Sequence, residues 1–452
     1  MKKSLFAVAA VTAFAGAAQA QSSVTVYGLL DVGYQGANYT LNNGTGVNTA
    51  ALNAVQKTQT SAFGASAEQT SRLGFKGNED MGGGVSSFFT IEMGLNPMYS
   101  NLSGASSVSD TLQHTSQGSG SAIDNRQTFL GLKKAGLGQF ALGRQYTPIF
   151  NAGAVTDPGQ YNNVIGNVVY MGNSTYTGNT GNDYLSGFTN RADSALTFQT
   201  DKFSGFSASG MYALQNKNAT LNGNGANATA GGNTNWNGWG LSADFTWQKL
   251  YLTAAYQSFK TQYTSAVVAG ATVLSVNGAG PTTDITTAAV VGWQPTNLND
   301  KQTLVGGTYD FGILKAYAQW VGRKVTENDA YTANSLPNGA TAVVVSGAQF
   351  NRNAEQIGVR SYITPTVEAW ASAGMGTYTG PGAYAAGTGN TAVVMPASVR
   401  FTGYQLGSNY YLSKRTNLYA IYGQTQTSSG TANTVGAGSS ANQYAVGMRH
   451  TF

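Results

Sequence analysis

The sequence predicts an all-β protein, a transmembrane antiparallel β-barrel of 16 strands. Three observations support this fold class. The chain opens with an export leader, apolar and polar residues alternate over many short segments, and 10% charged residues accompany 11% aromatic residues and 59 glycines. Soluble domains usually carry about 25% charged residues. Low charge without long apolar runs suits a barrel with lipid outside and water inside.

The first 20 residues have the form of a secretory signal peptide. Two N-terminal lysines precede an apolar stretch, residues 5–18, which ends in the small-x-small cleavage pattern Ala-Gln-Ala. This stretch is too short to span a membrane as a helix. We therefore expect residues 1–20 to be removed and residues 21–452 to form one mature domain. Losing two lysines takes the formal charge from +5 to +3.

The rest of the sequence contains no apolar run long enough for a spanning helix, and no cysteine. In a membrane such a chain must form a closed barrel, because only helices and closed barrels satisfy every backbone group in hydrocarbon. Without a disulfide framework, its stability must come from the hydrogen-bonded sheet and its closure.

Strand patterns begin directly after the leader and continue to the end of the chain. In residues 24–32, Val24 and Val26 share one face while Thr25 takes the other, and residues 443–449 repeat the pattern. A period of two is typical of a strand with one apolar face.

Short and long connections alternate along the chain. Residues 81–84, 134–136 and 248–249 are examples of tight turns. Eight long polar stretches lie between such turns: 37–67, 96–124, 146–190, 217–235, 261–299, 324–351, 380–397 and 428–440. Bacterial barrels have short periplasmic turns and long extracellular loops. Eight loops predict 16 strands, enough to enclose a water-filled channel.

Several segments resemble the Gram-negative trimeric general porins, especially those of β-proteobacteria. They are, in order, 21–31 (QSSVTVYGLLD), 71–84 (SRLGFKGNEDMGGG), 125–132 (NRQTFLGL), 142–146 (LGRQY), 413–419 (SKRTNLY) and 447–452 (GMRHTF). The resemblance extends over the mature length but does not include the long loops. It implies a homotrimer in the outer membrane, in contact with lipid and lipopolysaccharide. It also implies a third loop folded into each lumen, and a final Phe452 that the outer-membrane assembly machinery recognises.

The third long loop, residues 146–190, is therefore the predicted constriction of the pore. A polar loop can lie at membrane depth only where protein or lumen water surrounds it. Porins of the family that the chain resembles place an arginine cluster on the wall facing this loop. The matching positions are Arg72, Arg126, Arg144 and Arg191.

Alternation supports a lumen position for Arg72 and Arg191 independently of the resemblance. Arg126 and Arg144 are in phase with apolar neighbours, so they face the lumen only beyond the lipid-covered part of their strands or after a bulge. Glu92 alternates with apolar residues and is a predicted lumen carboxylate.

Acids near the constriction are few. The third loop contains only Asp157 and Asp183, of which Asp157 is a predicted constriction residue. Four basic residues against two or three acids predict an anion-preferring pore. The expected function is the passive diffusion of ions and small hydrophilic solutes, without a cofactor or a metal.

Three other functions are open to this sequence. The first is a channel specific for sugars or carboxylates, since six aromatic residues of the third loop could form a slide: Tyr146, Phe150, Tyr161, Tyr170, Tyr176 and Tyr184. The second is an outer-membrane enzyme, which needs a nucleophile with a positioned base. The two histidines support it poorly, because His114 lies in a long polar loop, His450 lies near the end of the last strand, and they do not have metal-ligand spacing. The third is an adhesin. No cluster of basic and aromatic residues indicates nucleic-acid binding.

Overall fold

The computed structural model describes residues 23–42, 55–98, 102, 124–170, 187–219, 232–265, 296–327, 332–333, 342–343, 349–386, 392–428 and 439–452. The predicted signal peptide lies outside the described residues. So do His114, Tyr176, Asp183 and Tyr184.

Nearly all of this described chain is β-strand. The strands are β1 (Ser23–Asn42), β2 (Val55–Ala65), β3 (Arg72–Gly82), β4 (Val85–Gly94), β5 (Asp124–Lys134), β6 (Gly138–Tyr146), β7 (Arg191–Thr200), β8 (Phe206–Ala219), β9 (Gly232–Trp247), β10 (Leu250–Ser265), β11 (Thr296–Asp310), β12 (Lys315–Glu327), β13 (Thr332–Ala333), β14 (Ala342–Val343), β15 (Gln349–Thr364), β16 (Val367–Ala386), β17 (Ala392–Tyr411), β18 (Thr416–Thr427) and β19 (Ser439–Thr451). One helix, α1 (Pro148–Thr156), follows β6. Among the described residues, no helix has both the length and the apolar character needed to cross a membrane.

The strands form one closed antiparallel sheet. β2 and β3 pair with different halves of β1, so they are two parts of one strand, interrupted at residues 66–71. β13 and β14 form a separate two-stranded hairpin. The remaining strands pair with their neighbours in sequence, and β19 returns to pair with β1, where Asp31 lies opposite Arg449. The prediction of a 16-stranded barrel is confirmed.

Short turns join the strands at one end of the barrel. Gly82, Gly83 and Gly84 have φ angles of 81°, 59° and 74° in the turn between β3 and β4. This left-handed backbone is easily adopted only by glycine, which explains the glycine run. A further turn at residues 311–314, with Gly312 at φ 90°, joins β11 to β12.

Several strands extend further than alternation predicts. β1 continues to Asn42 and β16 to Ala386, within the stretches 37–67 and 380–397 that we expected to be loops. Hairpin hydrogen bonds can continue beyond the lipid, where water surrounds both faces of the strand. Polar residues then occupy both faces, so the apolar–polar alternation disappears although the strand persists.

The two faces of the sheet differ in composition. Large apolar side chains such as Val26, Leu142 and Leu406 are exposed on the outside. Polar side chains such as Gln302 and Gln405 are buried on the inside. This is the arrangement expected of a barrel with a lipid-facing exterior and a polar lumen.

Candidate functional site: the lumen and its loop

The described parts of the third long loop, residues 146–170 and 187–190, lie inside the barrel. The loop begins with Thr147, whose hydroxyl accepts the amide hydrogen of Phe150 at 3.3 Å, and Pro148 is the first helical residue. Both are favourable at a helix N-terminus, so this part of the loop forms α1. Ile149 is fully buried in a cluster that includes Leu304 of β11. The helix therefore packs against the inner face of the barrel wall.

A set of buried glutamines on the barrel wall holds this loop. We call it the glutamine wall: Gln257, Gln302, Gln319, Gln356, Gln405 and Gln443, on β10, β11, β12, β15, β17 and β19. Gln356 Oε1 accepts the amide hydrogen of Val168 at 3.1 Å. Gln443 Oε1 accepts that of Ile165 at 3.0 Å. Gln302 Oε1 accepts that of Thr189 at 2.7 Å. The side-chain amides thus pair backbone groups that have no strand partner, as buried backbone groups require.

Asp157 also belongs to this attachment. It follows α1, is 1% exposed, and accepts hydrogen bonds from Gln356 Nε2 at 2.7 Å, Asn167 Nδ2 at 2.9 Å and the Tyr161 amide at 2.8 Å. Burial raises the pKa of this carboxyl group to about 6, although these donors favour the ionised form. The structure therefore places this predicted constriction residue between loop and wall, apart from the arginines.

Three of the four predicted arginines converge on one carboxylate and one phenol. Arg126 Nε donates to Glu92 Oε1 at 2.8 Å, and Arg72 Nη1 lies 4.0 Å from the same oxygen. The Tyr146 hydroxyl accepts hydrogen bonds from Arg126 Nη2 at 2.6 Å and from Arg191 Nη2 at 3.2 Å. We call Arg72, Arg126 and Arg191, on β3, β5 and β7, the arginine wall.

The members of this cluster differ in their access to water. The side chains of Arg126 and Glu92 are 6% and 4% exposed, whereas that of Arg72 is 22% exposed. The guanidinium of Arg191, a half-buried residue, lies 4.9 Å from the centre of the Tyr146 ring. Arg126 and Glu92 thus form a buried ion pair. The net positive charge of the cluster comes from Arg72 and Arg191.

A β-bulge turns Arg126 into the lumen. In the ladder between β4 and β5, Glu92 lies opposite Gln127, but Met93 lies opposite Asn125. Arg126 is the extra residue, and such an insertion shifts the alternation by one position. Leu130, beyond the bulge, is 64% exposed on the outer face, whereas Arg126 points toward Glu92. A bulge is one of the two conditions under which the sequence analysis expected Arg126 to face the lumen.

Arg144 is not brought into this cluster. Its guanidinium donates to Asp193 Oδ1 through Nη1 and to the backbone oxygen of Asn125 through Nε, the latter at 2.8 Å. A register shift between Gly143 and Gln145 in the ladder with β7 accompanies this arrangement. Asp193, two positions after Arg191 on β7, is the partner of Arg144. A constriction role for Arg144 stays a prediction.

Two tyrosines complete the cluster: Tyr27, which the sequence analysis did not single out, and Tyr146, which it considered only as part of an aromatic slide. Tyr27 donates from its hydroxyl to Glu92 Oε2 at 3.1 Å, and Tyr146 joins two arginines. Tyr27 shares its phase on β1 with Thr25, so alternation could have placed it inside the barrel. Nothing in the sequence indicates the Tyr146 contacts, because they depend on how the loop leaves β6.

The described aromatic residues of the third loop pack mainly on one another. Tyr146 stacks on Phe150 at a centroid distance of 4.1 Å, and Tyr161 stacks on Tyr170 at 4.2 Å. Phe150 lies 5.7 Å from Tyr161 and so joins the two pairs. Tyr161 is 7% exposed. Of the predicted slide, the four described residues therefore form a packed cluster and not an open row of rings.

The end of the chain closes the barrel beside β1. Phe452 and Gly28 exchange two backbone hydrogen bonds, of 3.0 and 3.2 Å. The Phe452 side chain is 43% exposed. Its role as an assembly signal stays a prediction. His450 is exposed and its Nδ1 lies 2.8 Å from the hydroxyl of Thr416. Within the described part of the chain, no three potential metal ligands cluster.

Comparison with known proteins agrees with this geometry. A model of the Gram-negative porin family matches residues 7–431. An outer membrane porin of Bordetella pertussis is 31% identical over 215 residues, 46% of each chain. The major outer membrane protein P.IB of Neisseria gonorrhoeae is 29% identical over 218 residues, 47% of this chain and 48% of the relative. The matched stretches thus span under half of each relative's length.

Solved structures share the fold. The anion-selective porin from Comamonas acidovorans superposes with a TM-score of 0.56 at 18% sequence identity, with 96% of this chain and 100% of that chain covered. OmpT of Vibrio cholerae superposes with a TM-score of 0.50 at 14% identity, with 95% of this chain and 98% of that chain covered. At such identities the likeness concerns the fold alone. The family match extends over most of the sequence, and the chain belongs to the Gram-negative porin family.

Proposed function

We propose that this protein is a passive diffusion channel of the outer membrane that lets ions and small hydrophilic solutes through and prefers anions. One observation carries the proposal. On the arginine wall, the guanidinium groups of Arg72 and Arg126 lie beside one carboxylate, Glu92, and that of Arg191 shares the Tyr146 hydroxyl with Arg126, whereas the glutamine wall presents neutral amides.

The preference for anions follows from the charge at this cluster. Basic residues that line a pore attract anions and repel cations, and a low-dielectric wall strengthens the effect. Arg126 and Glu92 neutralise each other, so Arg72 and Arg191 provide two net positive charges. One solved structure with the same fold is described as an anion-selective porin, which is consistent with this proposal.

The arrangement of the loop supports a general channel over one specific for sugars or carboxylates. A specific pore needs exposed rings or polar groups along the solute path. Here Phe150, Tyr161 and Tyr170 are packed against one another. Passive diffusion also needs no catalytic group, and porins of this family are channels and not enzymes.

We also infer the partners that the resemblance implies. These are two further copies of the chain in a homotrimer, and the lipids and lipopolysaccharide of the outer membrane. The third partner is the outer-membrane assembly machinery, which recognises Phe452. Removal of residues 1–20 would precede insertion. The family membership and the closed barrel are what support these inferences.

Planar-bilayer recording tests the function directly. The purified protein should form open channels, and the reversal potential under a KCl gradient should have the sign of chloride preference. Conductance should not saturate, and maltose or succinate should not block it. A clear potassium preference would refute the anion assignment. Saturable block by either solute would favour the specific channel.

A further inference from the structure

Two glycines occupy the inner face of the barrel where the third loop comes closest to the wall. Gly423 on β18 is opposite the buried Gln405 in the ladder, and Gly403 on β17 is two positions before Gln405, so both lie on the lumen face. Neither has a φ angle in the left-handed region, so the backbone conformation does not require glycine there. Glycine within a strand often marks a place where another backbone approaches closely.

The approaching backbone belongs to the third loop. A Cβ atom added at Gly423 would lie 1.7 Å from the carbonyl oxygen of Ile165. A Cβ atom added at Gly403 would lie 2.5 Å from the carbonyl oxygen of Gly166. At both positions the three nearest atoms belong to the loop, so the loop, and not a neighbouring strand, occupies the space of a side chain. We call Gly403 and Gly423 the glycine seat.

The loop also has a glycine where it crosses this seat. Gly166 has a φ angle of 114°, and a Cβ atom there would lie 2.2 Å from the carbonyl oxygen of Tyr404. Gln405 holds the same segment, because its Nε2 donates to the carbonyl oxygens of Val164 at 2.5 Å and Ile165 at 3.0 Å. The glutamine thus binds the loop, and the missing side chains let the loop backbone lie directly on the wall.

We propose that the glycine seat sets the distance between the third loop and the wall, and thereby the width of the opening through which solutes pass. This role rests on the proposed diffusion function, because it concerns the width of the same channel. In the closed sheet, β17 lies half-way round from β7, which carries Arg191. A side chain on the seat therefore moves the loop away from its wall and toward the arginine wall.

The size of this movement follows from the contact distances. A carbonyl oxygen keeps about 3.3 Å from a carbon atom, so alanine at position 423 would displace the Ile165 carbonyl by roughly 1.5 Å. Alanine at position 403 would displace the Gly166 carbonyl by roughly half as much, since its starting distance of 2.5 Å is longer. The two positions thus predict a graded narrowing of the opening.

Three alanine variants test the seat. Gly423→Ala and Gly403→Ala add the methyl groups just described. Gly240→Ala is the matched control: Gly240 is opposite the buried Gln257 on the same inner face, and no backbone atom of the loop is among the three atoms nearest to its added Cβ. Single-channel conductance should fall by about a third in Gly423→Ala and by less in Gly403→Ala, because ion flow depends on pore width. Gly240→Ala should conduct as wild type does.

Sugar permeation separates a displaced loop from general damage to the barrel. In liposome swelling, the rate for maltose relative to arabinose should fall in the same order as the conductance, because a narrower opening excludes the larger sugar first. A merely destabilised barrel would give fewer channels, each with wild-type conductance and the wild-type sugar ratio.

Several results would overturn the proposal. Wild-type conductance and sugar ratio in both seat variants would show that the loop does not follow the seat. A higher conductance would mean that the loop is released from the wall and not displaced. An equal fall in Gly240→Ala would remove the role of the seat. Gly403→Ala, with the smaller displacement, keeps the test decisive if Gly423→Ala does not fold. A potassium preference of the wild type would refute the proposed anion preference and leave these comparisons valid.

Discussion

The arginine wall and the glutamine wall occupy different arcs of the same closed sheet, and their polar side chains all point inward. On the glutamine wall, uncharged amides are at most 5% exposed and bind the third loop. On the arginine wall, the side chain of Arg72 stays 22% exposed, two arginines share one carboxylate, and Arg191 contacts Tyr146. The comparison shows that inward polar residues differ in what they contact: the buried glutamines bind the third loop, whereas Arg72 stays partly open to the lumen, where we propose that it meets the solute.

The largest expected effect comes from removing the exposed charge of the arginine wall. In Arg72→Ser with Arg191→Ser, the ratio of anion to cation permeability should fall roughly tenfold or more, because each charge near the ion path contributes about 1 kcal/mol. Reversal potentials measure the ratio. Lys414→Ser, a change at an exposed turn, is the control and should leave it unchanged. An unaltered permeability ratio in the double variant would show that the arginine wall does not determine selectivity.

Substitutions on the glutamine wall should lower the stability of the protein and leave its ion selectivity unchanged. Gln356→Leu leaves the amide of Val168 without its acceptor and Asp157 without its shortest hydrogen bond, of 2.7 Å. Each buried group left without a partner costs about 1–3 kcal/mol. Thermal unfolding should therefore begin at a lower temperature, and open-channel current noise should rise because the loop is less firmly held.

The reversal potential of Gln356→Leu should match that of the wild type. Gln199→Leu is a suitable control, since Gln199 is exposed and its amide oxygen accepts a hydrogen bond from another side chain, that of Gln139, at 3.2 Å. A shift in reversal potential for Gln356→Leu alone would show that the two walls do not divide their roles as the geometry indicates.

Much of the arginine wall could be predicted from alternation, and the exceptions have one physical cause. Arg72 and Glu92 lie on β3 and β4, whose ladder is regular at both positions, and each faces the side that its phase predicts. Arg126 and Arg144 lie beside register shifts. A bulge moves every following side chain to the other face, and no composition rule marks where it occurs.

The glutamine wall was harder to predict for a different reason. The strand count follows from the alternation of turns and loops, and phase alone assigns a polar residue such as Gln405 to the lumen. Phase cannot show that its amide binds the loop, because that contact joins residues 240 or more positions apart, as between Gln405 and Ile165. For the same reason, the position of a loop acid such as Asp157 cannot be predicted from the sequence, because it depends on how the loop folds.

Removing the carboxylate of the arginine wall should change selectivity in the opposite direction. Glu92→Gln keeps the shape of a side chain that is 4% exposed and removes its charge. The ratio of anion to cation permeability should rise about fivefold, which corresponds to about 1 kcal/mol. Glu92→Gln with Arg126→Gln removes both charges of the buried pair and should return the ratio close to that of the wild type. A fall in the ratio for Glu92→Gln would contradict the assignment of net positive charge to Arg72 and Arg191.

The smallest expected effect concerns the proton of Asp157. Its pKa in the folded protein is about 6, above the value of 3.8 for an unperturbed carboxyl group. The folded state thus binds this proton more tightly than the unfolded state does. The resulting contribution to the free energy of unfolding is present at pH 4 and lost as the pH rises through 6. The melting temperature, measured by circular dichroism, should therefore decrease slightly between pH 4 and pH 6.5 because of this group.

Asp157→Asn isolates this contribution because it removes the titrating group and leaves other carboxylates in place. The difference in melting temperature between wild type and variant should change over this interval and stay constant from pH 7 to pH 8. Selectivity at pH 7 should be the same in both proteins, since Asp157 is 1% exposed and lies apart from the arginine wall. A difference that is independent of pH would mean that the carboxylate keeps its ordinary pKa, because its hydrogen-bond donors compensate for burial. The carboxylate would then hold the loop in its charged form throughout.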